Sequence, residues 1–340
     1  MKAHLNFDSA VYQAAKSEGF DYRLRSRGMR HDGEGGALWF ARQLDFIMSK
    51  QFEELYPELT ALANFPVNFE AGEGAATITY QSYGIAGRAK IVADFSKDFP
   101  RADIVDRETT VDIRNVGDSY GYTMEEMRRA RFANRDLESA KASAANKAID
   151  KTINDIAWAG DPKNKLYGIF SPENQVPIFP LPPGSGGSAS WSEKDPLEIL
   201  NDIQLMYNYA VVTSRDIEHP DTLLLPSATM GKLALSPLPN TGVSTLEYIR
   251  NNTPYLKEIK MANELDPTAF ETNIFTSESN PLGTALLYTN SADKFEIQIP
   301  MQTIVYPPQF KAAQVEILLE AKTAGVTMYY PASALIVPGI

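Results

Sequence analysis

Histidines, paired carboxylates and a glycine run are the residues of this chain whose types could support catalysis or ligand binding. The three histidines, His4, His31 and His219, have no spacing that would place two imidazoles on one helical face. They therefore give little support to a metal site or to a nucleophile activated by histidine. The chain has no cysteine, which excludes disulfides, thiolate nucleophiles and zinc sites with sulfur ligands.

The carboxylate pairs and the glycine run fit structural roles better than chemical ones. Glu53 with Glu54, and Glu125 with Glu126, are adjacent in sequence, so each pair diverges around a helix instead of sharing a substrate. Carboxylates that the fold brings together from distant positions are an open alternative. Residues 184–187 read Gly-Ser-Gly-Gly without a following Lys-Ser or Lys-Thr, which predicts a linker and not a phosphate loop. We predict no catalytic, cofactor-binding or metal-binding residues and no enzymatic activity.

Length and charge narrow the class of protein further. A chain of 340 residues with 44% hydrophobic content can bury two or three cores. The 32 basic and 43 acidic residues give a net charge of -11, which disfavours a dedicated nucleic-acid binder. Residues 1–20 lack the continuous apolar core of a signal peptide, and no window approaches the length of a membrane span. We therefore expect neither secretion by the general route nor a membrane partner.

A long helix is the element around which the other parts of the chain are arranged. The stretch from Tyr122 to Gly160 contains no proline and no glycine before its last residue, and Thr123 with Glu126 fits a capping box. About 35 residues at 1.5 Å each predict a rod of roughly 50 Å. The predicted buried face combines Met127, Ala130, Leu137, Ala140, Ala144, Ala148 and Ile156 with Ala145, Ile149 and Ile153. We expect the alanines to let a sheet approach closely, so that Ala144→Leu overpacks the fold.

Charged segments and an amphipathic helix precede the long helix. Residues 37–55 have the apolar spacing of a helix that docks on a neighbour. Residues 76–80 and 109–113 alternate as half-buried strands do, and a charged excursion separates them. We predict that two charged sets contact other subunits, although a solvated hairpin and a solvated arm are the simpler alternatives. The sets are Arg88, Lys90, Asp94, Lys97, Asp98, Arg101, Asp103, Asp106, Arg107 and Glu108 in the excursion, and Arg23, Arg25, Arg27 and Arg30 in the N-terminal arm.

A second, mixed domain follows the long helix. Residues 161–192 contain six prolines, which marks a boundary. Asp195, Pro196 and Glu198 then fit the start of a new helix. Short strands near 222–225, 285–288 and 295–299, with brief helices after Ser227 and around 245–250, predict an α+β domain. Residues 314–324 and 326–330 have the pattern of a hairpin that turns at Gly325.

The order of these parts, together with several local motifs, resembles a known family. The motifs are Leu55-Tyr-Pro-Glu-Leu59, Ile78-Thr-Tyr-Gln81, Tyr120-Gly-Tyr-Thr123 with Glu126, and Glu320-Ala-Lys-Thr-Ala-Gly-Val326 followed by Tyr330-Pro331 and Gly339-Ile340. Residues 35–340 resemble major capsid proteins of tailed bacteriophages with the HK97-type fold, in the branch that is also similar to encapsulin shells. The resemblance implies an α+β fold with a long spine helix, a peripheral β-sheet, an extended β-hairpin loop and a mixed axial domain.

The resemblance also implies a division of the chain. An N-terminal arm and docking helix would occupy residues 1–60, an extended loop 67–118, the spine helix and connecting loop 119–194, an axial domain 195–295 and the return strands of the peripheral domain 296–340. In such shells the extended loop lies over the adjoining subunit, which would explain a charged segment balanced in sign.

The function implied is a capsid protein that assembles into hexamers and pentamers of an icosahedral phage head around double-stranded DNA. Implied partners are portal, scaffolding and decoration proteins, and DNA held without sequence specificity. The implied location is the virion, assembled in the bacterial host cytoplasm, with no cofactor. The alternatives are an encapsulin-like nanocompartment shell around an enzyme cargo, and a soluble α+β enzyme that uses carboxylates.

Overall fold

The computed structural model describes residues 57–86, 101, 103–132, 137–239, 242–266 and 283–340, with backbone alone at Ile85, Ala86, Asp103 and Leu137. The predicted arm and docking helix within residues 1–55 lie outside the described residues. The helices are α1 (Ala61–Asn64), α2 (Met124–Phe132), α3 (Leu137–Trp158), α4 (Pro196–Thr213), α5 (Ser227–Leu235) and α6 (Thr245–Asn252).

The strands fall into four sheets within these ranges. They are β1 (Val67–Asn68), β2 (Thr77–Ala86), β3 (Asp103–Asp112), β4 (Arg114–Thr123), β5 (Thr222–Leu225), β6 (Glu258–Met261), β7 (Thr284–Tyr288), β8 (Phe295–Gln298), β9 (Met301–Val305), β10 (Gln309–Lys311), β11 (Gln314–Thr323), β12 (Gly325–Met328) and β13 (Ala334–Pro338). The sheet orders are β1-β8-β12, β10-β11-β4 with β9 also on β11, β13-β7-β5-β6, and the pair β2-β3.

The sheet β13-β7-β5-β6, here named the axial sheet, separates two apolar cores. Successive side chains of a strand point to opposite faces. Leu224 and Leu286 therefore enter one core, whereas Leu223 and Leu287 enter the other. Because both faces are covered, β5 and β7 are buried at every residue and have nearly continuous apolar sequences. The final strand β13 joins this sheet through β7, so residues 296–340 contribute to more than one sheet.

The first core lies between α3 and the sheet β10-β11-β4, here named the peripheral sheet. Helix α3 contacts β4, β11 and β12. Its Ala145, Ile149 and Ile153 join Leu319 and Ala321 of β11 in one buried cluster. This contact fixes the helix on the sheet.

The second core lies between the other face of the axial sheet and α4, α5 and α6. The predicted start of α4 is confirmed, since Pro196 is its first residue and the N–H of Asp195 donates to Glu198 Oε2 at 3.1 Å. Pro at the first helical position loses no hydrogen bond there, which favours initiation at this point. Ile199, Ile203 and others of its inner face then pack into this core.

The predicted capping box of the long helix is confirmed. The N–H of Thr123 donates to Glu126 Oε2 at 2.9 Å, and the N–H of Glu126 donates to Thr123 Oγ1 at 3.1 Å. Strand β4 extends to Thr123, so α2 begins at Met124 and not at Tyr122. Residues 133–136, between α2 and α3, lie outside the described residues, so a single continuous rod stays a prediction.

The predicted buried face of the long helix was wrong in part. Ala140, Ala144 and Ala148 are exposed, whereas Ala145 and Ile149 are buried. Burying an isoleucine removes more apolar area from water than burying an alanine. The isoleucine face therefore packs on the sheet, and three of the alanines point away from it.

The predicted hairpin around Gly325 was also wrong. Strand β11 pairs with β4, whereas β12 pairs with β8 in a different sheet. Gly325 has a φ of +72°, and a Cβ at this position would overlap the carbonyl oxygen of Tyr167. The glycine therefore carries the chain from one sheet to the next, where a larger side chain would not fit.

The glycine run at residues 184–187 forms a turn and is not a free linker. The N–H of Gly184 donates to the carbonyl oxygen of Ser188 at 2.8 Å, and that of Gly187 donates to Gly184 at 2.9 Å. The N–H of Ser185 donates to Glu198 Oε1 at 2.7 Å, which ties this turn to the start of α4. The hydrogen bonds from Ser185 and from the N–H of Asp195 hold the pKa of Glu198 below its ordinary value.

Candidate subunit interface

The base of the β2–β3 hairpin is fastened to the rest of the chain by aromatic and apolar contacts. The ring of Tyr80 meets the ring of Tyr329 edge-on, with centroids 5.0 Å apart and an interplanar angle of 88°. The Tyr80 hydroxyl donates to the carbonyl oxygen of Met328 at 3.3 Å. Val111 and Ala324 are buried in a small cluster beside them. The base of the hairpin is therefore part of the subunit's folded core.

The distal half of the hairpin exposes apolar side chains on both faces. Tyr83 pairs with Asp106 and Gly84 pairs with Val105, so Tyr83 and Val105 lie on opposite faces. Their exposed fractions are 73% and 61%. Within the described residues, β2 and β3 pair only with each other, so both outer edges have unpaired backbone groups. Open edges and a two-stranded ribbon of marginal stability are features of a segment that binds another chain.

The charged residues predicted to contact other subunits are only partly within the described residues. Asp106 and Arg107 project from opposite faces of β3, and neither forms an ion pair with any described residue. Glu108 accepts a hydrogen bond from Gln81 Nε2 at 2.7 Å, and Arg101 is exposed. Asp103 lies on β3. The remaining predicted contacts, Arg88, Lys90, Asp94, Lys97 and Asp98 of the excursion and Arg23, Arg25, Arg27 and Arg30 of the arm, lie outside the described residues.

A second exposed apolar surface lies at the end of the peripheral sheet. Phe310 on the edge strand β10 is 78% exposed. Met124 is also exposed, and its N–H donates to the carbonyl oxygen of Ala313 in the β10–β11 turn at 3.0 Å. Sequence periodicity gave no indication of this surface, because the residues around Phe310 show no regular apolar spacing.

A cleft of about 320 Å³ lies between α2, α3 and the same end of the peripheral sheet. Its charged groups already have partners. Lys141 Nζ donates to the carbonyl oxygen of Gly121 at 2.7 Å and lies 3.6 Å from Glu126, while Lys311 pairs with Glu316 at 2.5 Å. The hydrogen bond from the Thr123 backbone and the charge of Lys141 hold the pKa of Glu126 below its ordinary value. These pairs brace the junction between helix and sheet.

The residues whose side chains could act in catalysis or metal binding do not come together in the part of the chain that the structure describes. His219 is exposed beside Tyr207, whose hydroxyl lies 3.3 Å from His219 Nδ1, and Asp216 lies 3.8 Å from Nε2. Glu125 pairs with Arg128 and Arg129 on the surface of α2. No group of three His, Cys, Asp or Glu residues in the described ranges is placed to hold a metal ion. His4, His31, Glu53 and Glu54 lie outside those ranges.

Two ion pairs, one buried and one partly buried, were not predicted from the sequence. Lys194 Nζ lies 2.6 Å from Asp202 Oδ2, and Trp191 Nε1 donates to the same oxygen at 2.9 Å. Lys294 Nζ lies 2.6 Å from Glu218 Oε1. A buried charge must have a partner, and each pair joins segments that lie apart in the sequence. The first pair fastens the proline-rich segment to α4.

A polar network supports the tyrosine that meets the hairpin. The Tyr329 hydroxyl donates to Glu296 Oε2 at 3.0 Å, and Asn68 Nδ2 donates to the same oxygen at 2.9 Å. Burial and the neighbouring Glu296 carboxylate raise the pKa of Tyr329 well above its ordinary value. The hydroxyl therefore stays protonated and donates, which holds the ring in place for Tyr80.

Comparison with known proteins gives one family match. A family described as the major capsid protein matches residues 87–340. A comparison with curated protein sequences finds no match. None of the helices in the described ranges has both the length and the apolar character needed to cross a membrane.

Solved capsid structures share the arrangement of elements described above. The capsid of Myoviridae phage XM1 has a TM-score of 0.75 and 14% identity, covering 88% of this chain and 98% of that one. A Mycobacterium phage Ogopogo structure has a TM-score of 0.58 and 14% identity, covering 88% of this chain and 98% of that one. A virus-like particle from Pyrococcus furiosus has a TM-score of 0.51 and 14% identity, covering 81% and 91%. These similarities confirm the predicted HK97-type fold.

Proposed function

This chain belongs to the major capsid protein family, and we propose that copies of it form the icosahedral head shell of a tailed bacteriophage around double-stranded DNA. The feature that carries this proposal is the β2–β3 hairpin. Its base is fixed in the subunit by Tyr80, whereas its distal half exposes Tyr83 and Val105 on opposite faces. A ribbon that is anchored at one end and apolar on both faces is suited to lie between neighbouring copies.

The proposed arrangement assigns a role to each part of the chain. Residues 67–118 reach over the adjoining subunit, residues 119–194 and 296–340 supply the peripheral part, and residues 195–295 lie at the centres of hexamers and pentamers. Residues 1–60 act as the arm and docking helix. Asp106 and Arg107 favour a contact of this kind because they have no ion-pair partners among the described residues of their own subunit. Complementary charges across an interface set its register more than its affinity.

The proposal includes partners that follow from head assembly. Portal, scaffolding and decoration proteins would contact the shell, which is assembled in the bacterial host cytoplasm and becomes part of the virion. DNA would be enclosed without sequence-specific contacts, in keeping with a net charge of -11. The role is structural and needs no cofactor.

A nanocompartment shell that holds an enzyme cargo is the second candidate. One observation favours keeping it, namely that a particle described as virus-like, and not as a phage capsid, has a similar fold. A phage head and a nanocompartment differ in what they enclose, so the content of the particle separates the two functions.

Electron microscopy of the purified protein, followed by nuclease treatment and extraction of the particles, tests the proposal. Under conditions that permit assembly, we expect closed icosahedral particles, and in particles from infected cells we expect nuclease-protected double-stranded DNA. Particles that enclose a protein cargo without nucleic acid would instead support the nanocompartment. A protein that stays a small oligomer under every assembly condition would contradict both functions.

A further inference from the structure

The outward face of α4 has an apolar stripe that the subunit leaves partly exposed. Tyr209 packs on one side against Phe179 of the same subunit, with ring centroids 4.8 Å apart. Leu205, Tyr209 and Val212 are spaced by four and three residues, which places them in one row on a helix. Their exposed fractions are 36%, 37% and 75%. The row therefore continues along about two turns of the helix surface.

The same face of α4 carries no charge. The only charged residues of the helix are Glu198 and Asp202. Glu198 is engaged in the capping box and with Ser185, and Asp202 is buried against Lys194. The other solvent-facing residues around the stripe are Leu197, Asn201, Gln204, Asn208 and Thr213. A surface helix usually has charged residues on the face opposite its core.

The inner face of α4 is already buried in the second core. Ile199, Ile203, Met206 and Ala210 pack there against the axial sheet. The helix is thus apolar on the side of the core and uncharged with an apolar row on the other side. A helix with apolar residues on both sides is typical of a buried position. The apolar residues on both sides of α4 indicate that another protein surface covers its outward face when the protein functions.

We propose that a second copy of this chain covers the outward face of α4, an inference that rests on the proposed shell function. Each copy has a net charge of -11, so identical copies repel one another wherever their acidic surfaces meet. Like charges placed opposite each other across an interface strongly oppose binding. A face without charges is where two such copies meet with the least repulsion. Depletion of charge around aromatic and aliphatic side chains is also the composition of an interface core.

Two exposed asparagines, one on α4 and one on α6, offer a matched pair of substitutions that tests this assignment. Asn208 lies on the uncharged face of α4, and Asn251 is an exposed helical asparagine of α6. Asn208→Glu and Asn251→Glu therefore introduce the same charge, at the same residue type, on two exposed helices. Gln204 Nε2 donates to Asn208 Oδ1 at 3.0 Å, and a glutamate at 208 can still accept a hydrogen bond. Val212→Glu adds a second test within the stripe.

We expect Asn208→Glu and Val212→Glu to lower the yield of assembled particles at least about tenfold, and Asn251→Glu to assemble like the wild type, because only the first two place charge inside an interface core. Particle yield is measured by light scattering and electron microscopy at matched protein concentration. Circular dichroism and the thermal midpoint of each unassembled protein should equal those of the wild type.

Three outcomes would overturn this assignment. Normal assembly of Asn208→Glu and Val212→Glu would mean that no second copy covers the face. An equal loss of assembly in Asn251→Glu would mean that added negative charge alone prevents assembly. A lower thermal midpoint for Asn208→Glu but not for Asn251→Glu would place the face inside a single subunit. If the wild type itself forms no shells, the proposed function fails, whereas wild-type shells with normal Asn208→Glu assembly refute only this inference.

Discussion

The ring of Tyr80 stands at 88° to the ring of Tyr329, with their centroids 5.0 Å apart. Tyr80 belongs to the hairpin and Tyr329 follows β12, so this contact is one of those that join the exposed ribbon to the rest of the subunit. The Tyr329 hydroxyl is itself held by Glu296. The position of the hairpin on its subunit therefore depends on a partly buried pair, Tyr329 and Glu296, that lies more than 200 residues away in sequence.

Replacing Tyr80 should loosen the hairpin. Tyr80→Ala removes an edge-to-face pair, which we expect to lower the free energy of unfolding by about 1–2 kcal/mol. Hydrogen exchange at the amides of β2 and β3 should become faster. Tyr83→Ala is the matched control on the same strand, and because Tyr83 is mostly exposed it should leave both quantities unchanged. Equal exchange rates in Tyr80→Ala and the wild type would show that this contact does not anchor the hairpin.

Reversing charges on the hairpin should impair assembly without unfolding the subunit. Asp106→Lys combined with Arg107→Glu keeps the net charge and breaks no ion pair among the described residues. We expect fewer particles by electron microscopy and an unchanged circular dichroism spectrum, because complementary charges fix the register between copies. Glu193→Lys, at an exposed position elsewhere, is the control. Normal particle yield from the double variant would mean that the hairpin charges are only solvated.

Removing one member of the buried Lys194–Asp202 pair should strongly lower the free energy of unfolding. Asp202→Ala leaves the Lys194 ammonium buried without its carboxylate, and we expect a loss of about 3–5 kcal/mol in the free energy of unfolding. Urea denaturation measures this loss. Replacing both residues by Lys194→Met with Asp202→Leu should cost less than Asp202→Ala alone. A double variant that is less stable than the single variant would contradict this explanation.

The Asp221 carboxylate should make part of the free energy of unfolding depend on pH in the acidic range. Burial alone would raise the pKa of Asp221, but hydrogen bonds from the N–H of Asn290, from Lys257 and from Thr222 outweigh it and lower the pKa below its ordinary value. A lowered pKa in the folded state stabilises the fold above the unfolded pKa of about 3.9, and this stabilisation is lost as pH falls through the folded pKa.

The variant Asp221→Asn isolates this effect. The difference in unfolding free energy between the wild type and Asp221→Asn should be largest near pH 6 and should shrink as the pH falls below about 4. Urea denaturation at a series of pH values gives this difference. A difference that stays constant over the whole series would show that the Asp221 carboxylate contributes no pH dependence.

Enlarging two neighbouring alanines of α3 should affect the stability of the subunit differently. Ala145→Leu forces extra methylene groups into the first core and should cost about 1–3 kcal/mol. Ala144→Leu places its side chain in solvent and should be tolerated in the unassembled subunit. Thermal unfolding of both variants provides the comparison. Equal destabilisation by the two would mean that the helix is rotated from the position described.

The helices and strands were predictable where a local pattern determines them. The capping residues Thr123 and Glu126, the first turn at Pro196 and the strand at 222–225 agree with the structure, because each depends on neighbouring residues. The rotation of α3 was not predictable in the same way. Ala144 and Ala145 have the same side chain, and only the position of the sheet decides which one is buried.

Contacts between segments that are distant in sequence could also not be predicted from the sequence pattern. Gly325 resembles a hairpin turn locally, but its strands pair with β4 and β8, which are far away in the chain. Lys194 and Asp202 could have been surface charges, since burial decides whether such a pair is strong. The uncharged face of α4 could have been found from the sequence, because only Glu198 and Asp202 are charged between residues 196 and 213.

Electron cryomicroscopy of the assembled protein is the most direct test of the central claim that this chain builds a shell through its hairpin. We predict closed icosahedral particles in which residues 77–86 and 103–112 lie on the adjoining subunit, with Tyr83 and Val105 buried at that contact. Particles in which this hairpin contacts only its own subunit, or a protein that forms no closed particles under any assembly condition, would contradict the claim.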